Sequence, residues 1–279
     1  MKKKSLSIAT IALSIVTAFS LTACSSNSDS NSKSTVAASE ASPTSVASSP
    51  VSGKKYIIAT DATYAPFEFK QGNEYVGIDI DLLAAIAKLE GFTYDLKPMD
   101  FKGIIPALTS NQIDASIAGM TITEERKKTL DFSEGYFESG TSAIVHKDNT
   151  SIQSTDDFKG KTFAVKKGTV GAKYAEEHKE EFGAKIEYFD DTPTSFQEVE
   201  NKNADISFED YPVIAYMLSV NKDAKLRIAV PKLAVEYYGF AVNKGKNQEL
   251  LAAFNDGLKK LQQSGEYEKI TAKYLGETK

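Results

Sequence analysis

The chain has 279 residues, of which 41% are apolar and 25% are charged, and its formal net charge is −5. This composition is typical of a soluble protein with one or two domains. Acidic residues outnumber basic ones, which argues against the basic face that nucleic-acid binding requires, so we expect no nucleic-acid partner.

The first 23 residues are predicted to be a secretory signal peptide. Lys2–Lys4 form a positive segment, and Leu6–Leu21 is apolar except for Ser and Thr. A transmembrane anchor is the alternative, but it needs about 20 apolar residues. The only cysteine, Cys24, follows Leu-Thr-Ala, and this stretch resembles the lipobox of bacterial lipoproteins. The resemblance implies an exported protein that Cys24 anchors by a lipid to the outer face of the cytoplasmic membrane.

Residues 24–53 are predicted to form a flexible tether after the lipidated cysteine. The segment is rich in Ser, Ala, Thr and Asn and has few large apolar residues. It cannot bury enough apolar surface to fold. We expect ordered sequence to begin near Lys54.

Strand and helix patterns alternate in the first half of the folded part. Asp79 is predicted to cap a helix with an apolar stripe at Leu82, Leu83, Ile86 and Leu89. The predicted elements are the strand Tyr56–Thr60, the helix from Asp79 to Gly91, the strand Phe92–Leu96, the helix Ile104–Leu108 and the strand Ile113–Ala118.

The alternation starts again after Tyr136. The predicted elements are a short helix over Ile152–Phe158, the strand Lys161–Val165, the helix Val170–Phe182, the strand Ile186–Phe189, the helix Thr194–Asn201, the strand Asp205–Phe208, the helix Tyr211–Val220, the strands Leu226–Val230 and Tyr237–Val242, and the helices Gln248–Ser264 and Glu266–Tyr274. This order predicts an α/β fold in which helices cover a largely parallel sheet.

Several polar or small residues follow predicted strand ends, where ligands bind in such sheets. Asp61, Phe101 and Gly119–Thr121 are in such positions, and we expect them to converge. After Gly119 a helix is predicted to begin at Thr123, with Arg126 in its first turn. A guanidinium beside free backbone N–H groups suits a small carboxylate ligand. An ordinary surface arginine would give the same local pattern.

The sequence predicts no metal site and no cofactor. The chain has only two histidines, His146 and His178, and neither lies near a second metal ligand. No phosphate-binding glycine loop and no Ser–His–acid or Cys–His arrangement is present. An enzyme that uses only carboxylates or lysine remains open.

From Tyr56 to Gly276 the chain resembles the amino-acid solute-binding proteins of ABC transporters, and most of all the glutamine-binding members. The resemblance covers the whole folded part and rests on several motifs in order. They are Ala59–Asp61, Pro66–Phe69, Tyr75–Gly77 with Asp79, Lys97–Phe101, Gly103–Leu108, Ala118–Arg126, Asp131–Ser133 and Tyr238–Gly239.

The resemblance implies a two-lobed α/β periplasmic-binding-protein fold of type II, with a ligand cleft between the lobes. Residues 54–137 and 237–279 would form lobe 1, and residues 138–236 would form lobe 2. Two crossings, near Tyr136–Gly140 and Ala234–Tyr238, would join them, and the lobes would close on the ligand.

The resemblance also implies ligand-binding roles. Arg126 would bind the α-carboxylate, helped by Gly119 and Thr121, and Asp210 would bind the α-ammonium. Tyr64 and Phe101 would pack on either side of the ligand's carbon chain, with Ala118 beside them. Asp61 and Lys166 would contact the side-chain end and suit a neutral amide, because Asp accepts from NH₂ and Lys donates to C=O.

The chain departs from the glutamine-binding pattern at two positions. Glu209 replaces a histidine, and Val170 replaces a glycine. Because Glu209 adds a carboxylate beside the site, a basic amino acid or cystine remains an alternative ligand.

The leading interpretation is therefore a non-catalytic, monomeric binding protein. It would capture a polar L-amino acid, with glutamine favoured, and deliver it to a membrane permease that has a cytoplasmic ATPase. A dehydratase-type enzyme and a surface receptor on the same fold are the alternatives.

Overall fold

The computed structural model describes residues 49–276, so the signal peptide, Cys24 and most of the tether lie outside the described residues. The strands are β1 (Lys55–Thr60), β2 (Thr63–Tyr64), β3 (Glu68–Gln71), β4 (Glu74–Val76), β5 (Thr93–Pro98), β6 (Ala115–Ser116), β7 (Leu130–Phe132), β8 (Phe137–Ser139), β9 (Thr141–His146), β10 (Thr162–Lys166), β11 (Lys185–Phe189), β12 (Ile206–Asp210), β13 (Leu226–Val230), β14 (Glu236–Tyr238) and β15 (Ala241–Asn243).

Helices cover the sheets that these strands form. They are α1 (Ile78–Glu90), α2 (Phe101–Thr109), α3 (Val170–Glu177), α4 (Lys179–Phe182), α5 (Thr192–Glu200), α6 (Tyr211–Val220), α7 (Gln248–Ser264) and α8 (Glu266–Leu275), with short 3₁₀ helices at Arg126–Lys128 and Thr155–Phe158. In the part of the chain that the structure describes, none of them is long and apolar enough to cross a membrane.

The first lobe is built on a five-stranded sheet in the order β5-β1-β6-β15-β7. Strand β1 pairs in parallel with β5 and β6, whereas β15 runs antiparallel to β6 and β7. Neighbouring residues of β1 face opposite sides, as the pleat requires. Ile58 packs in the core that includes residues of α1 and α7, and Ala59 packs in the core that includes residues of α2.

The second lobe repeats this plan with a five-stranded sheet in the order β11-β10-β12-β9-β13. Strand β10 is parallel to β11 and β12. Phe163 and Phe208 lie in a core with residues of α3, and Ala164 lies in a second core with residues of α5 and α6.

Two antiparallel strands connect the lobes. Strand β8 pairs with β14, with Ser139 opposite Glu236 and Phe137 opposite Tyr238. Both strands fall within the predicted crossings, and the predicted α/β two-lobed fold is confirmed. The lobe limits at residues 137/138 and 236/237 stay a prediction.

The prediction that Asp79 caps α1 is wrong. The helix begins at Ile78 with Gly77 as its N-cap, and the Asp79 carboxylate points into the protein. Leu89, which was predicted in the apolar stripe, is 50% exposed. Leu82, Leu83 and Ile86 are buried as predicted, and Gly91 ends the helix in a left-handed conformation.

The helix predicted to begin at Thr123 is also wrong, because only a single 3₁₀ turn, Arg126–Lys128, precedes β7. The Thr123 hydroxyl still accepts a hydrogen bond from the Arg126 N–H at 3.1 Å. Thr123 therefore caps this short turn as predicted, but the chain enters β7 before an α-helix can form. The predicted anion-binding site at an α-helix N-terminus is therefore absent at this position.

Other boundaries differ because tertiary pairing decides where an element ends. The predicted helix Val170–Phe182 divides at His178, and the predicted strand Tyr237–Val242 divides between the crossing and the first sheet. The predicted strand Ile113–Ala118 shortens to β6. Val51, which falls in the predicted tether, is fully buried, so packed sequence begins slightly before Lys54.

Candidate functional site

The carboxyl ends of parallel strands from both lobes meet across the cleft. Asp61 follows β1, Gly119 lies just beyond β6, Lys166 ends β10, and Glu209 and Asp210 end β12. This is the edge at which α/β sheets bind ligands. The fold therefore brings the predicted site residues of both lobes together.

A small cavity lies between these strand ends, with a free volume of about 10 Å³. Its lining consists of Tyr64, Phe101, Ala118, Gly119, Thr121, Arg126, Lys166, Thr169, Val170 and Asp210. That volume accommodates about one water molecule. A larger molecule can enter only if the lobes move apart.

Arg126 connects the lobes at one end of the cavity. Its Nη1 donates to the Thr121 carbonyl at 2.6 Å, and its Nη2 donates to the Gly168 carbonyl of the second lobe at 3.0 Å. The guanidinium also lies 5.5 Å from the centre of the Phe101 ring. Burial lowers the pKa of Arg126, and the charge of Asp210 opposes that shift. A guanidinium stays protonated in such a site.

Asp210 also lines the cavity, and it lies between two tyrosine hydroxyl groups. The Tyr238 hydroxyl donates to Asp210 Oδ2 at 2.6 Å, and the Tyr64 hydroxyl donates to the same oxygen at 2.9 Å. Burial raises the pKa of Asp210, whereas the two hydroxyls and Arg126 lower it. Although Asp210 precedes α6, its side chain does not cap that helix. The carboxylate is therefore available to the cavity.

Asp61 and Lys166 form a buried ion pair across the cleft. The second Asp61 oxygen accepts from the Ala62 N–H at 2.6 Å and from the Thr63 hydroxyl at 3.1 Å. Lys166 Nζ lies 4.7 Å from the centre of the Tyr64 ring. The loop after β1 thus fixes the carboxylate, and an aromatic face supports the ammonium.

Glu209 is buried directly behind Tyr64 and Asp210. It accepts hydrogen bonds from the Thr192 hydroxyl at 2.5 Å and the Asp210 N–H at 2.9 Å, and it shares with Asp210 the single proton of the Tyr64 hydroxyl, which lies 3.0 Å away. Burial and the neighbouring Asp210 raise the pKa of Glu209 to about 7. Its charge therefore changes near neutral pH.

Gly119 is the position at which a side chain is excluded. Its φ is +52°, and a Cβ would lie 2.6 Å from the Tyr64 ring. Both facts require glycine, because other residues are strained in this conformation and would displace Tyr64.

Sequence reasoning missed three contributors. Tyr238 was noted only as part of a motif, although it contacts Asp210; Thr169 lines the cavity, and Thr192 contacts Glu209. Thr192 belongs to α5 and Tyr238 to a crossing, far from the motifs that they complete. The Tyr-Gly motif was a signal for Tyr238, and the turn after the strand that ends at Lys166 was a signal for Thr169.

Ion pairs join the lobes at the rim of the cleft. Asp190 of the second lobe accepts from Lys102 of the first lobe at 2.5 Å and from Lys167 at 3.0 Å. Lys173 of the second lobe pairs with Glu125 of the first. These residues are exposed, so each pair contributes little on its own.

Within residues 49–276, no cluster of three or more His, Cys, Asp or Glu side chains could hold a metal ion. The carboxylates near the cavity are instead matched by Lys166, Arg126 and hydroxyl donors. The arrangement suits a zwitterion, since opposite charges lie at separate points of one cavity.

A family model for bacterial extracellular solute-binding proteins, family 3, matches residues 56–277. The chain belongs to this family. The match spans the described fold almost from end to end. Relatives of this family are named as amino-acid-binding proteins, so the chain is an amino-acid-binding extracellular solute-binding protein of the ABC-transporter type.

The individual relatives differ in the amino acid that their names give. The arginine-binding extracellular protein ArtP of Bacillus subtilis is 37% identical over 223 residues, which are 80% of this chain and 86% of the relative. The L-cystine-binding protein TcyJ of Escherichia coli K12 is 31% identical over 223 residues, covering 79% of this chain and 82% of the relative.

A solved structure supplies the same fold with two ligands. An ancestral arginine-binding protein is 43% identical, and the match covers 80% of this chain and 98% of that chain. It has been solved bound to arginine, with a TM-score of 0.75, and bound to glutamine, with a TM-score of 0.74.

Proposed function

We propose that this protein captures L-glutamine outside the cytoplasm and delivers it to the permease of an ABC importer. The observation that carries this proposal is the buried Asp61–Lys166 pair, which lies beside a cavity that Arg126 and Asp210 also face. A carboxylate and an ammonium held side by side present one acceptor and one donor. These match the NH₂ and C=O of a side-chain amide.

In the proposed complex, Arg126 binds the α-carboxylate and Asp210 binds the α-ammonium. The Gly119 and Thr121 backbone lies beside Arg126 and would assist it. Tyr64 and Phe101 would enclose the carbon chain, since both line the cavity. A two-pronged guanidinium contact gives both affinity and orientation.

Binding would couple to closure of the lobes. Arg126 contacts Gly168 of the opposite lobe, and Tyr64 contacts Asp210 of the opposite lobe. A ligand that binds Arg126 and Asp210 together would join the two lobes, so it would favour an arrangement closed around it, with the lobes further apart than this cavity of about 10 Å³ leaves them. The ligand can shift this equilibrium only by its differential affinity for the two states.

Arginine or another basic amino acid is the second candidate, and Glu209 is the observation that favours it. Once Arg126 and Asp210 bind the zwitterion, the remaining groups are the neutral Asp61–Lys166 pair and Glu209. An ionised Glu209 would balance a cationic side chain, whereas a protonated Glu209 would leave that charge unmatched beside Lys166. The names of the relatives ArtP and TcyJ also keep arginine and cystine open as ligands.

We further propose that the protein is a lipoprotein and not an enzyme. Cys24 would carry the lipid, and residues after it would tether the folded part to the outer face of the membrane. Release of an unchanged amino acid, rather than its turnover, would separate this role from a dehydratase. A surface receptor would bind the ligand without supporting its uptake.

The test is ligand-dependent stability of the full-length protein, refolded from denaturant to remove bound ligand. Glutamine, arginine, lysine, histidine and cystine are compared in thermal melts, and calorimetry follows for any ligand that shifts the melt. A ligand at a hundred times its dissociation constant adds about 2.7 kcal/mol of stability.

A shift with glutamine that exceeds the shift with arginine supports the proposal. A shift with arginine alone would support a cationic ligand balanced by Glu209 and would contradict the proposal that the ligand is glutamine. No shift with any of the five would contradict both.

A further inference from the structure

A buried pair of carboxyl groups lies below the cleft, outside the proposed ligand contacts. Glu68 begins β3, Asp79 is the second residue of α1, and both are fully buried. The Asp79 N–H donates to the Phe67 carbonyl at 2.9 Å, which holds the two side chains next to each other. Two carboxyl groups therefore lie side by side, away from bulk solvent.

The hydrogen bonds of the two residues are very unequal. Asp79 Oδ2 accepts from the Gly119 N–H at 2.8 Å and from the Tyr136 hydroxyl at 2.7 Å. Both oxygens of Glu68, and Asp79 Oδ1, have no donor among the described residues. One proton between these two neighbouring carboxyl groups would pair Glu68 with Asp79 Oδ1.

Electrostatics assigns that proton to Glu68. Two adjacent carboxylates cannot both ionise away from water. Asp79 has two donors that stabilise its negative charge, whereas Glu68 has none. Burial and the charges of Asp79 and Asp61 raise the pKa of Glu68 well above its usual value, opposed by Lys166. Burial raises the pKa of Asp79 to about 6, opposed by its donors.

We propose that Glu68 is a positioning residue for ligand binding, in which a neutral Glu68 carboxyl group donates its proton to Asp79. Asp79 then holds the Gly119 N–H beside the cavity and the Tyr136 hydroxyl at the entrance to the first crossing. The contact with the ligand through Gly119 rests on the proposed function. The proton shared by Glu68 and Asp79 is independent of that function.

The charged and titratable groups around the pair come from several elements. Asp61 and Lys166 face Glu68 from the ends of β1 and β10, Tyr136 faces Asp79 from the segment before β8, and Tyr267 of α8 faces Asp79. Because Lys166 already pairs with Asp61, it does not neutralise a second carboxylate. An ionised Glu68 would therefore repel both Asp79 and Asp61.

Infrared spectroscopy of the full-length protein at pH 7 tests the proton directly. Glu68→Gln should remove a carboxylic acid C=O band from the spectrum of the wild type. Asp79→Asn should keep this band but shift its frequency, because burial still holds Glu68 neutral while its acceptor changes from a carboxylate to an amide.

Glu90→Gln is the matched control for this experiment. Glu90 is also buried and belongs to α1, but it pairs with Lys260 at 2.7 Å. Because an ammonium group already pairs with this side chain, the substitution should leave the acid band unchanged. An unchanged band in Glu68→Gln, or a band that is not shifted in Asp79→Asn, would overturn the proposal.

The pH dependence supplies a second readout. The folded state keeps a proton on Glu68 that the unfolded state loses above the usual carboxyl pKa, so folding weakens as pH rises. Relative to Glu68→Gln, the wild-type unfolding constant should rise with pH above about pH 5, by up to about tenfold per pH unit. Equal slopes for the two proteins would contradict a shared proton.

Ligand affinity then tests the positioning role. The amide of Glu68→Gln can still donate to Asp79, so affinity at pH 7 should stay within about twofold of wild type. Glu68→Leu cannot donate and should bind at least about tenfold more weakly. Equal affinities for these two variants would refute the positioning role. Failure of every amino acid to bind would refute the proposed function and leave the infrared result standing.

Discussion

Replacing Arg126 with alanine should remove ligand binding and leave the fold in place. The guanidinium is only 8% exposed, and it already donates to one carbonyl of each lobe. In the proposed complex, its remaining N–H groups form two hydrogen bonds with the ligand carboxylate. Each hydrogen bond to a charged group contributes about 1.5–3 kcal/mol. Their loss predicts about 3–6 kcal/mol, or about a 10²- to 10⁴-fold weaker affinity.

Isothermal titration calorimetry measures this loss, with the amino acid that stabilises the wild type most. Lys127→Ala is the matched control. It also removes one positive charge, but the Lys127 side chain is exposed and pairs with Glu124 outside the cavity. Its affinity should be close to that of the wild type. Near-UV circular dichroism checks the fold of both variants. An Arg126→Ala protein that is folded and binds within threefold of wild type would refute the carboxylate assignment.

The remaining predictions concern charge, closure and anchoring. Asp210→Asn should weaken binding by at least about tenfold in calorimetry, because the α-ammonium loses its ionised partner, and unchanged affinity would place that ammonium elsewhere. The ratio of arginine to glutamine affinity should rise as pH increases through about 7, where Glu209 ionises. In Glu209→Gln this ratio should no longer change with pH. A ratio that still rises with pH in this variant would contradict the role of Glu209. Asp190→Lys places a third cation beside Lys102 and Lys167, so the two lobes should repel each other. Small-angle scattering at low salt should then show a larger radius of gyration than for the wild type. An increase that is unchanged in 1 M salt would contradict an electrostatic cause. Cys24→Ala should move the protein from the membrane fraction to the soluble fraction, and continued membrane association would contradict the lipid anchor.

Local patterns predicted most of the secondary structure. The predicted limits of α6 and α7 are the observed ones, and Gly91 marked the end of α1. Errors occurred where a local signal competed with a distant partner. Asp79 had the features of a cap, yet the Gly119 N–H and the Tyr136 hydroxyl bind its carboxylate in the interior.

The small sheet formed by β2, β3 and β4 was missed for a related reason. Its strands are two to four residues long, which is too short for an alternating pattern to be recognised. It nevertheless carries Tyr64 and Glu68, and so supplies one side chain to the cavity and one to the buried carboxyl pair.

The sequence by itself determined the α/β class, the two-lobed plan and the residues that meet at the cleft. Strand ends, glycines and charged side chains are local features, and the motifs kept them in a recognisable order. Only the tertiary structure decided which groups touch. Asp61 and Lys166 are 105 residues apart, and Tyr64 and Asp210 are 146 residues apart, yet both pairs are in contact. No local periodicity encodes such pairs, because they depend on how two separately folded sheets face each other. The same packing excludes water from Glu68 and Glu209, which is why the protonation of these carboxyl groups could not be predicted from residue type.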